Sequence, residues 1–229
     1  MSGLSVEQER DRIAREAYVQ LSAAADKFEQ YPHPHAERIA AIADAIAEVL
    51  HMAPHDRRSL RNAARMHDLG EVAMERDYIK KSGPLTADER IDLARHPVIG
   101  EQEAARASAD RAVQLLVRWH HEWWNGAGYP DALRQTEIPL GARILRVADS
   151  YAAMTDDRPY RAAFTESQAR ERMIEGSAIE FDPDVVAVLL SLEGMAELRS
   201  HARREESVPW SNETTSQAMD NEIQGSFPK

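Results

Sequence analysis

Apolar residues in this 229-residue chain recur at intervals of three and four positions between about residues 10 and 192. No run that alternates between apolar and polar residues is convincing enough to indicate a half-buried β-strand. Residues three or four positions apart share one face of an α-helix, so the pattern favours helices that each bury an apolar stripe. We therefore predict an all-α fold.

Proline and glycine predict the bounds of the first helices. Residues 4–30 have the pattern of an amphipathic helix, and Pro34 begins a second helix whose apolar stripe includes His35. Pro54 is suited to the first turn of a third helix, and Gly70 to its C-terminal cap. These signals predict three successive helices within the first 70 residues.

Capping residues predict the later helices. Thr86 and Thr165 each stand three residues before a Glu or Gln, which is the spacing of a capping box. His96-Pro97 interrupts the helical run that follows Thr86, because the residue before a proline is biased away from helical geometry. Pro139 begins the helix that carries Asp149.

Composition narrows the classes of function. The chain has no cysteine, which excludes disulfides, thiolate metal sites and a cysteine nucleophile. Its net charge of −11 argues against DNA, RNA or an anionic membrane surface as partners. The N-terminus lacks a signal-peptide core, and no apolar run approaches the roughly 18 residues that a membrane span needs. We expect a cytoplasmic protein with one principal domain.

The domain organisation predicted from composition has three parts. Residues 1–30 form a helical N-terminal extension, and residues 31–197 form the principal domain. Beyond about residue 200, Ser, Asn, Thr and Gln replace most apolar residues, so residues 198–229 are predicted to be a disordered tail.

The tract at residues 120–130, His-His-Glu-Trp-Trp-Asn-Gly-Ala-Gly-Tyr-Pro, joins two adjacent imidazoles to a glycine-rich turn. The pair follows a helical pattern that ends near His120. His67-Asp68 lies upstream and Asp149 downstream. Neutral imidazoles and carboxylates are ligands for divalent iron, manganese or zinc, so this set indicates metal-assisted hydrolysis.

Each of these side chains also has an ordinary structural interpretation. His35 and His67 alone would more often be buried histidines bonded to carbonyl oxygens, and Asp68 and Asp149 ordinary helix-end carboxylates. His121 would face away from a ligating His120, since helix neighbours diverge by about 100°. The nearby tryptophans suit either guanine stacking or packing, with packing favoured.

Taken in order, these residues resemble the HD-GYP family of phosphodiesterases, over roughly residues 31–192. The motifs that carry the resemblance are His35, His67-Asp68, His96-Pro97, His120-His121, Gly128-Tyr129-Pro130, Val147-Ala148-Asp149 and Arg158-Pro159-Tyr160-Arg161. A His-Asp pair alone is common by chance. The order of the motifs, with the Gly-Tyr-Pro turn and the final Arg-Pro-Tyr-Arg segment, makes the resemblance specific.

The resemblance implies an HD-domain helical bundle with a buried metal centre. It implies hydrolysis of cyclic di-GMP, or a related cyclic dinucleotide, to linear pGpG and in some members onward to GMP. Two divalent metals, iron foremost and manganese as the alternative, would share a bridging hydroxide. The implied ligands are His35, His67, Asp68 and Asp149 for the first metal, and Asp68, His96, His120 and His121 for the second.

The resemblance also implies the substrate and partner contacts. Arg158 and Arg161 match positions that grip phosphate, and with Asp68 they are the implied catalytic residues. Gly128, Tyr129 and Pro130 would shape the pocket. Diguanylate cyclases or other signalling proteins are the implied partners of the Gly-Tyr-Pro loop. From the residues alone, the amphipathic first helix would suit a homodimer.

Two departures from the family leave alternatives open. Tyr31 stands four residues before His35, where three-metal members carry a glutamate, so we predict a two-metal site. Glu71 stands where the family usually has lysine, which favours a weakly active or non-catalytic binding protein as an alternative. A different diiron phosphohydrolase or an oxygenase is a further alternative. Arg158 and Arg161 could instead pair with the aspartates that precede them.

Overall fold

The computed structural model describes residues 6–80, 83–157 and 162–192. Within these ranges the chain forms ten α-helices and two short 3₁₀ turns. In chain order the helices are α1 (Val6–Phe28), α2 (His35–Val49), α3 (Pro54–Met66), α4 (Leu69–Met74), α5 (Ala87–Leu93), α6 (His96–Arg106), α7 (Arg111–Trp119), α8 (Leu140–Thr155), α9 (Glu166–Gly176) and α10 (Pro183–Ser191). Among the described residues, strand-like pairing is limited to one isolated bridge. The all-α prediction is confirmed.

Most helix starts lie where the local sequence signals predict them. Pro34 is the N-cap of α2, and Pro54 is the first residue of α3. Thr86 and Thr165 both form complete capping boxes, at α5 and α9. Pro139 is the N-cap of α8, which carries Asp149. Caps and prolines act within one helical turn, so their effects are readable from local sequence.

The predicted C-terminal cap at Gly70 is wrong. Helix α3 ends at Met66, and Gly70 lies inside the next helix, α4. A Cβ atom at Gly70 would lie 2.0 Å from the carbonyl oxygen of His96 and 2.8 Å from the backbone nitrogen of Gly100. Gly70 therefore allows the backbones of α4 and α6 to touch, which no residue with a side chain permits.

The core lies around α2, which packs against α3 and α8. The stripe Ile39, Ile42 and Ile46 of α2 is fully buried, as are Ile144 and Leu145 of α8. Complete burial of such a side chain contributes about 1.5–3 kcal/mol, so this stripe fixes the faces that α2 presents to its neighbours. The same packing brings the first residue of α2 close to the middle of α8.

Helix α1 covers α3 and α4, and its end is tied to the start of α2. The backbone nitrogen of Ala36 donates to the carboxylate of Asp26 at 3.1 Å. None of the described helices combines the length and the apolar character that crossing a bilayer requires. The segment 198–229 lies outside the described residues, and the proposed boundaries at residues 30 and 197 stay predictions.

Candidate metal centre

Three side chains from three helices form a first cluster. His35 lies at the start of α2, His67 just after α3, and Asp149 in α8. Oδ1 of Asp149 is 4.0 Å from Nε2 of His35 and 3.8 Å from Nε2 of His67. Ligand atoms of all three lie within 4.8 Å of one another, which is the spacing of groups that can share one ion.

A second cluster joins Asp68 to three histidines, His96, His120 and His121, again with ligand atoms within 4.8 Å of one another. Oδ1 of Asp68 is 3.3 Å from Nε2 of His96 and 3.7 Å from Nε2 of His120. The two histidine nitrogens are 3.3 Å apart. The break before α6 and the end of α7 thus present their histidines to one carboxylate.

Asp68 faces both clusters. Its Oδ2 lies 2.8 Å from Nε2 of His67, while its Oδ1 faces the second cluster. A carboxylate that divides its oxygens in this way has the geometry of a bridging ligand between two ions. Burial tends to raise the pKa of Asp68, but His67 and the bonds from His120 and His96 hold it well below its ordinary value. The carboxylate is therefore ionised.

Four histidines have Nδ1 beside an oxygen acceptor, which leaves Nε2 facing the clusters. The acceptors are Asp156 Oδ2 for His35 at 2.6 Å, Ala64 O for His67 at 2.9 Å, Leu93 O for His96 at 2.8 Å and Val117 O for His120 at 2.6 Å. A neutral ring that donates through Nδ1 keeps a lone pair on Nε2. This is the usual arrangement of metal-ligating histidines.

The first cluster shows that the donor set fits a cation. Nε2 of His67 is buried, has no hydrogen-bond partner among the described residues, and faces the carboxylate of Asp68. Burial tends to lower the pKa of His67, yet Asp68 and Asp149 raise it to about 10. A lone pair and a carboxylate in such contact require a positive charge, which a proton or a metal ion supplies. The nitrogen and oxygen donors suit iron or manganese.

Asp156 supports the first cluster, and the sequence analysis missed this role. It accepts from Nδ1 of His35 and from the guanidinium of Arg38, which also bonds to Thr155. Burial opposes ionisation of Asp156, but His35 and Arg38 lower its pKa. Asp156 is thus engaged in the bundle rather than in an exposed ion pair. Asp156 follows the last residue of α8 and has extended backbone geometry, so helical spacing from Asp149 gives no signal for this contact.

A third group of carboxylates lies beside the two clusters. Ligand atoms of Glu29, Asp68 and Glu71 are within 4.8 Å of one another. Burial, Asp68 and Asp149 raise the pKa of Glu71 well above its ordinary value. Tyr31 stacks on the ring of His35, with centroids 3.7 Å apart. The acidic residue at position 71 therefore does lie beside the candidate metal ligands.

The loop at residues 120–137 is held through one buried carboxylate. Glu122 is 2% exposed and accepts from the backbone nitrogens of Asp131 at 2.7 Å and Leu133 at 3.0 Å. The backbone nitrogens of Trp124 and Asn125 donate to carbonyls of the turn after α9, at 3.1 and 3.0 Å. Both ends of the loop are therefore bonded to ordered structure.

The predicted substrate turn lies against the second cluster. A Cβ at Gly128 would be 2.2 Å from the backbone nitrogen of Trp123 and 2.5 Å from the carbonyl of His121, so the turn needs glycine there. The peptide bond between Tyr129 and Pro130 is cis. The ring of Tyr129 stacks on His121, with centroids 4.9 Å apart. Burial raises the pKa of the Tyr129 phenol, which stays neutral.

Two arginines and two tryptophans remain among the residues that the sequence analysis discussed near the site. Arg158 and Arg161 lie outside the described residues, so their phosphate contacts stay predictions. The indole of Trp119 donates to Asp131 at 2.7 Å, and the guanidinium of Arg143 lies 5.7 Å from the ring of Trp124. These contacts favour the packing interpretation of both tryptophans.

Comparison with known proteins identifies relatives over most of the chain. Residues 19–185 match the family model described as HD domain. The cyclic di-GMP phosphodiesterase response regulator RpfG of Xanthomonas campestris is 35% identical over 187 residues, covering 80% of this chain and 48% of that protein. A 3'3'-cGAMP-specific phosphodiesterase 3 of Vibrio cholerae is 34% identical over 164 residues, covering 72% and 36%. This chain spans about half the length of such relatives or less.

Solved structures share the fold. A cyclic GMP-AMP specific phosphodiesterase of V. cholerae matches with a TM-score of 0.67 and 19% identity, over 85% of this chain and 53% of that one. The PgpH HD domain of L. monocytogenes, in complex with cyclic-di-AMP, matches with a TM-score of 0.53 and 13% identity, over 85% and 99%. At these identities the likeness concerns the fold alone.

Proposed function

Because this chain belongs to the HD-GYP group of the HD domain family, we propose that it is a metal-dependent cyclic dinucleotide phosphodiesterase with cyclic di-GMP as its expected substrate. Relatives named for cyclic di-GMP and for 3'3'-cGAMP support the class of substrate. In the proposed reaction water attacks one phosphorus, the bond to the ribose 3'-oxygen breaks, and that oxygen takes up a proton. The product is the linear dinucleotide pGpG.

The observation that carries this proposal is the division of the two Asp68 oxygens between the clusters. His35, His67 and Asp149 would hold one cation and His96, His120 and His121 the other, with Asp68 contributing to both. Two bound divalent cations would supply a water of lowered pKa and polarise the phosphoryl oxygens. Iron is the expected metal and manganese the alternative, since every donor is nitrogen or oxygen.

The chain's own residues do the binding and positioning. Asp156 would orient His35, in the manner of a carboxylate that fixes the tautomer of a ligating imidazole. Gly128, Tyr129 and Pro130 would form one wall of the substrate pocket. Arg158 and Arg161 would bind the non-bridging phosphate oxygens through charge-assisted hydrogen bonds. These substrate contacts are proposals.

The test combines product analysis with metal content on one preparation. Protein loaded anaerobically with ferrous iron or manganese is incubated with cyclic di-GMP and with 3'3'-cGAMP, and products are separated by chromatography. We expect a linear dinucleotide from cyclic di-GMP and two metals per chain. Asp68→Asn should lose both the linear product and the bound metals. His55→Ala, which changes an exposed histidine, should keep the product and the metals. Two bound metals with no linear product from either nucleotide would overturn the proposal.

Glu71 favours a second candidate, a protein that binds the cyclic dinucleotide without turning it over. Burial and the charges of Asp68 and Asp149 raise the pKa of its carboxyl group well above the ordinary value, so position 71 offers an approaching anionic phosphate no positive charge. Nucleotide binding without turnover, unchanged in Glu71→Lys and in the neutral Glu71→Gln, would support this candidate. A sharp rise in turnover in Glu71→Lys would instead show an enzyme whose catalysis Glu71 impairs.

A further inference from the structure

Two glutamates from different parts of the chain meet beside Asp68, outside the two histidine clusters. Glu29 lies in the turn that follows α1, and Glu71 lies in the first turn of α4. Helix α1 packs against α4, and ligand atoms of Glu29, Glu71 and Asp68 lie within 4.8 Å of one another. Carboxylates this close repel one another unless a proton or a cation lies among them. The packing of α1 on α4 therefore assembles a group of ligand atoms that contains oxygen alone.

Glu71 is the member of this group that lacks a partner. Its carboxyl group is buried, and it forms no hydrogen bond or ion pair with any residue that the structure describes. Other buried carboxylates have donors, since Glu122 accepts from two backbone amides and Asp182 accepts from Arg143. Buried carboxylates in proteins are normally paired or coordinate a metal. The unpartnered carboxyl group of Glu71 therefore points to a ligand that completes this group.

The two glutamates lie where solvent reaches the protein. Residues 29 and 71 each keep part of their surface exposed, although the carboxyl group of Glu71 is buried. An ion in solution thus has access to the edge of the site at which the two side chains meet.

These glutamates are not the one that three-metal members of the family carry. That position is Tyr31 in this chain, and its ring stacks on His35 with centroids 3.7 Å apart. Glu29 lies two residues before Tyr31, and Glu71 stands where the family usually has lysine. A site built from Glu29 and Glu71 is therefore a property of this chain's own sequence.

The donor atoms determine which ion fits. The two histidine clusters offer imidazole nitrogens, which suit iron, manganese or zinc. The group at Glu29 and Glu71 offers oxygen alone, which suits a hard cation such as magnesium. Magnesium in proteins is commonly bound by one or two carboxylates, and it keeps several waters or takes phosphate oxygens from a substrate. Two carboxylates at the edge of a candidate phosphate site match this preference.

We propose that Glu29 and Glu71 hold a magnesium ion beside Asp68, in addition to the two ions of the histidine clusters. Asp68 would contribute its charge, because its two oxygens already face those clusters. The ion would supply the positive charge that position 71 lacks and would bind a phosphate oxygen of the substrate; this role rests on the proposed phosphodiesterase function. An ion that keeps most of its waters should leave on desalting, so the count of two metals per chain expected above is unchanged.

Metal binding to zinc-loaded protein tests the site without reference to activity. The protein is loaded with two equivalents of zinc, which manganese does not displace from nitrogen and oxygen ligands because it binds them more weakly. Manganese is then titrated as a paramagnetic substitute for magnesium, and the free ion is measured by electron paramagnetic resonance. We expect one saturable manganese ion per chain, displaced by excess magnesium. A titration without saturation, or a bound ion that magnesium does not displace, would overturn the proposal.

Neutral substitutions locate the ion on the two glutamates. Glu71→Gln and Glu29→Gln keep the size of each side chain and remove its charge. Each should weaken manganese binding at least about 10-fold, since loss of even a supporting carboxylate typically costs 10- to 100-fold, while zinc content stays at two per chain. Glu75→Gln is the matched control, because Glu75 lies one turn after Glu71 and is exposed. Equal affinity in wild type and Glu71→Gln would place the manganese elsewhere on the acidic surface and refute the site.

Amide NMR of the zinc-loaded wild type gives the position of the ion even if a variant fails to fold. Substoichiometric manganese should broaden the signals of Glu29, Glu71 and their chain neighbours before those of α9. Broadening that is strongest at another acidic segment would contradict the assignment to Glu29 and Glu71.

The two proposals fail in different ways. If metal-loaded wild type hydrolyses neither cyclic di-GMP nor 3'3'-cGAMP, the phosphodiesterase function fails, whereas manganese binding at Glu29 and Glu71 is decided separately by the titration. If turnover is present but zinc-loaded protein binds no manganese, the function stands and the magnesium site is wrong. If both are present, added magnesium should lower the KM for cyclic di-GMP in wild type but not in Glu71→Gln, and an equal response of the two proteins would exclude the role toward phosphate.

Discussion

The junction between α4 and α6 and the loop at residues 120–137 both bring histidines to Asp68, but they do so by different means. At the junction, Gly70 lets two helix backbones touch beside His96. In the loop, the Glu122 side chain holds backbone amides nine and eleven residues away. The first arrangement tolerates no added atom, whereas the second depends on hydrogen bonds that can open locally. One half of the second cluster is therefore set by packing and the other by polar contacts.

The largest loss of stability is expected from a substitution at the junction between α4 and α6. In Gly70→Ala the new methyl group would lie 2.0 Å from the carbonyl oxygen of His96, and backbone cannot move aside as a side chain can. We expect destabilisation of about 3 kcal/mol or more, at the upper end of overpacking, measured by thermal and denaturant unfolding. The remaining folded protein should bind metal poorly, because α6 carries His96.

Gly100→Ala is the matched control in the same contact. Its methyl group would meet Cγ1 of Val117 at 2.9 Å, which is a side-chain atom that can turn away. A clearly smaller loss of stability is expected. Equal losses for the two variants would contradict the idea that backbone contact sets the junction.

The loop should respond locally rather than globally. Glu122→Ala removes the acceptor of two backbone amides, at a cost of about 2 kcal/mol, which local opening of the loop can relieve. We expect faster hydrogen exchange at Asp131 and Leu133, a higher KM for the cyclic dinucleotide, and little change in exchange within α2. Glu122→Gln, which keeps one acceptor oxygen, should fall between. Unchanged exchange at both amides would show that the loop is held by other contacts.

A smaller effect is expected at the first cluster, on substitution of Asp156, which accepts a hydrogen bond from His35. Asp156→Asn keeps an oxygen for Nδ1 of His35 but loses the charge that faces Arg38. Loss of such a supporting carboxylate typically weakens metal binding 10- to 100-fold. Competition with a chelator measures the affinity. Asp157→Asn, in the exposed neighbour, is the control and should bind metal as wild type does; equal weakening in both variants would exclude a specific role for Asp156.

An ion-pair cluster outside both regions should give the smallest effect. Asp44 accepts from Arg57 at 2.9 and 2.8 Å and from Arg61 at 2.6 Å. Burial alone would raise the pKa of Asp44, but the two arginines lower it overall. A lowered folded-state pKa stabilises the protein above the unfolded value of about 3.9, and this stabilisation is lost as the pH falls through the folded value.

Asp44→Asn should therefore cost about 1 kcal/mol at pH 7, with allowance for partial exposure of the pair. The cost should shrink as the pH falls below about 4. Denaturant unfolding of both proteins across this range measures the difference. A cost that is constant from pH 7 to pH 2.5 would mean that packing of the amide, not charge, is responsible.

Local signals predicted most of the helix starts, whereas the grouping of the site residues was predicted from the resemblance to the HD-GYP family. Thr86, Thr165, Pro54 and Pro139 each act within one turn, so the helix starts could be predicted without knowledge of the packing. The error at Gly70 has the opposite origin. A glycine after a helical run usually caps it, and only the approach of α6 from 26 residues later shows why this one lies inside a helix.

The supporting residues escaped the sequence analysis because their partners are distant in the chain. Asp156 and His35 are 121 residues apart, and Arg146 and His121 are 25 apart. Arg146, whose guanidinium lies 3.0 Å from Nδ1 of His121, is in helical register with the predicted ligand Asp149, three residues before it. Asp156 instead follows the last residue of α8 and has extended backbone geometry. A search for charged residues on the ligand-bearing face of α8 would have found Arg146 but not Asp156.

The position of Asp68 between the two clusters also affects how metal ions would bind to them in succession. An ion held at the first cluster would orient the carboxylate, and the oxygen facing the second cluster would then already be in place for the next ion. Filling of the two positions should accordingly be cooperative, with a steeper loading curve than two independent sites would give.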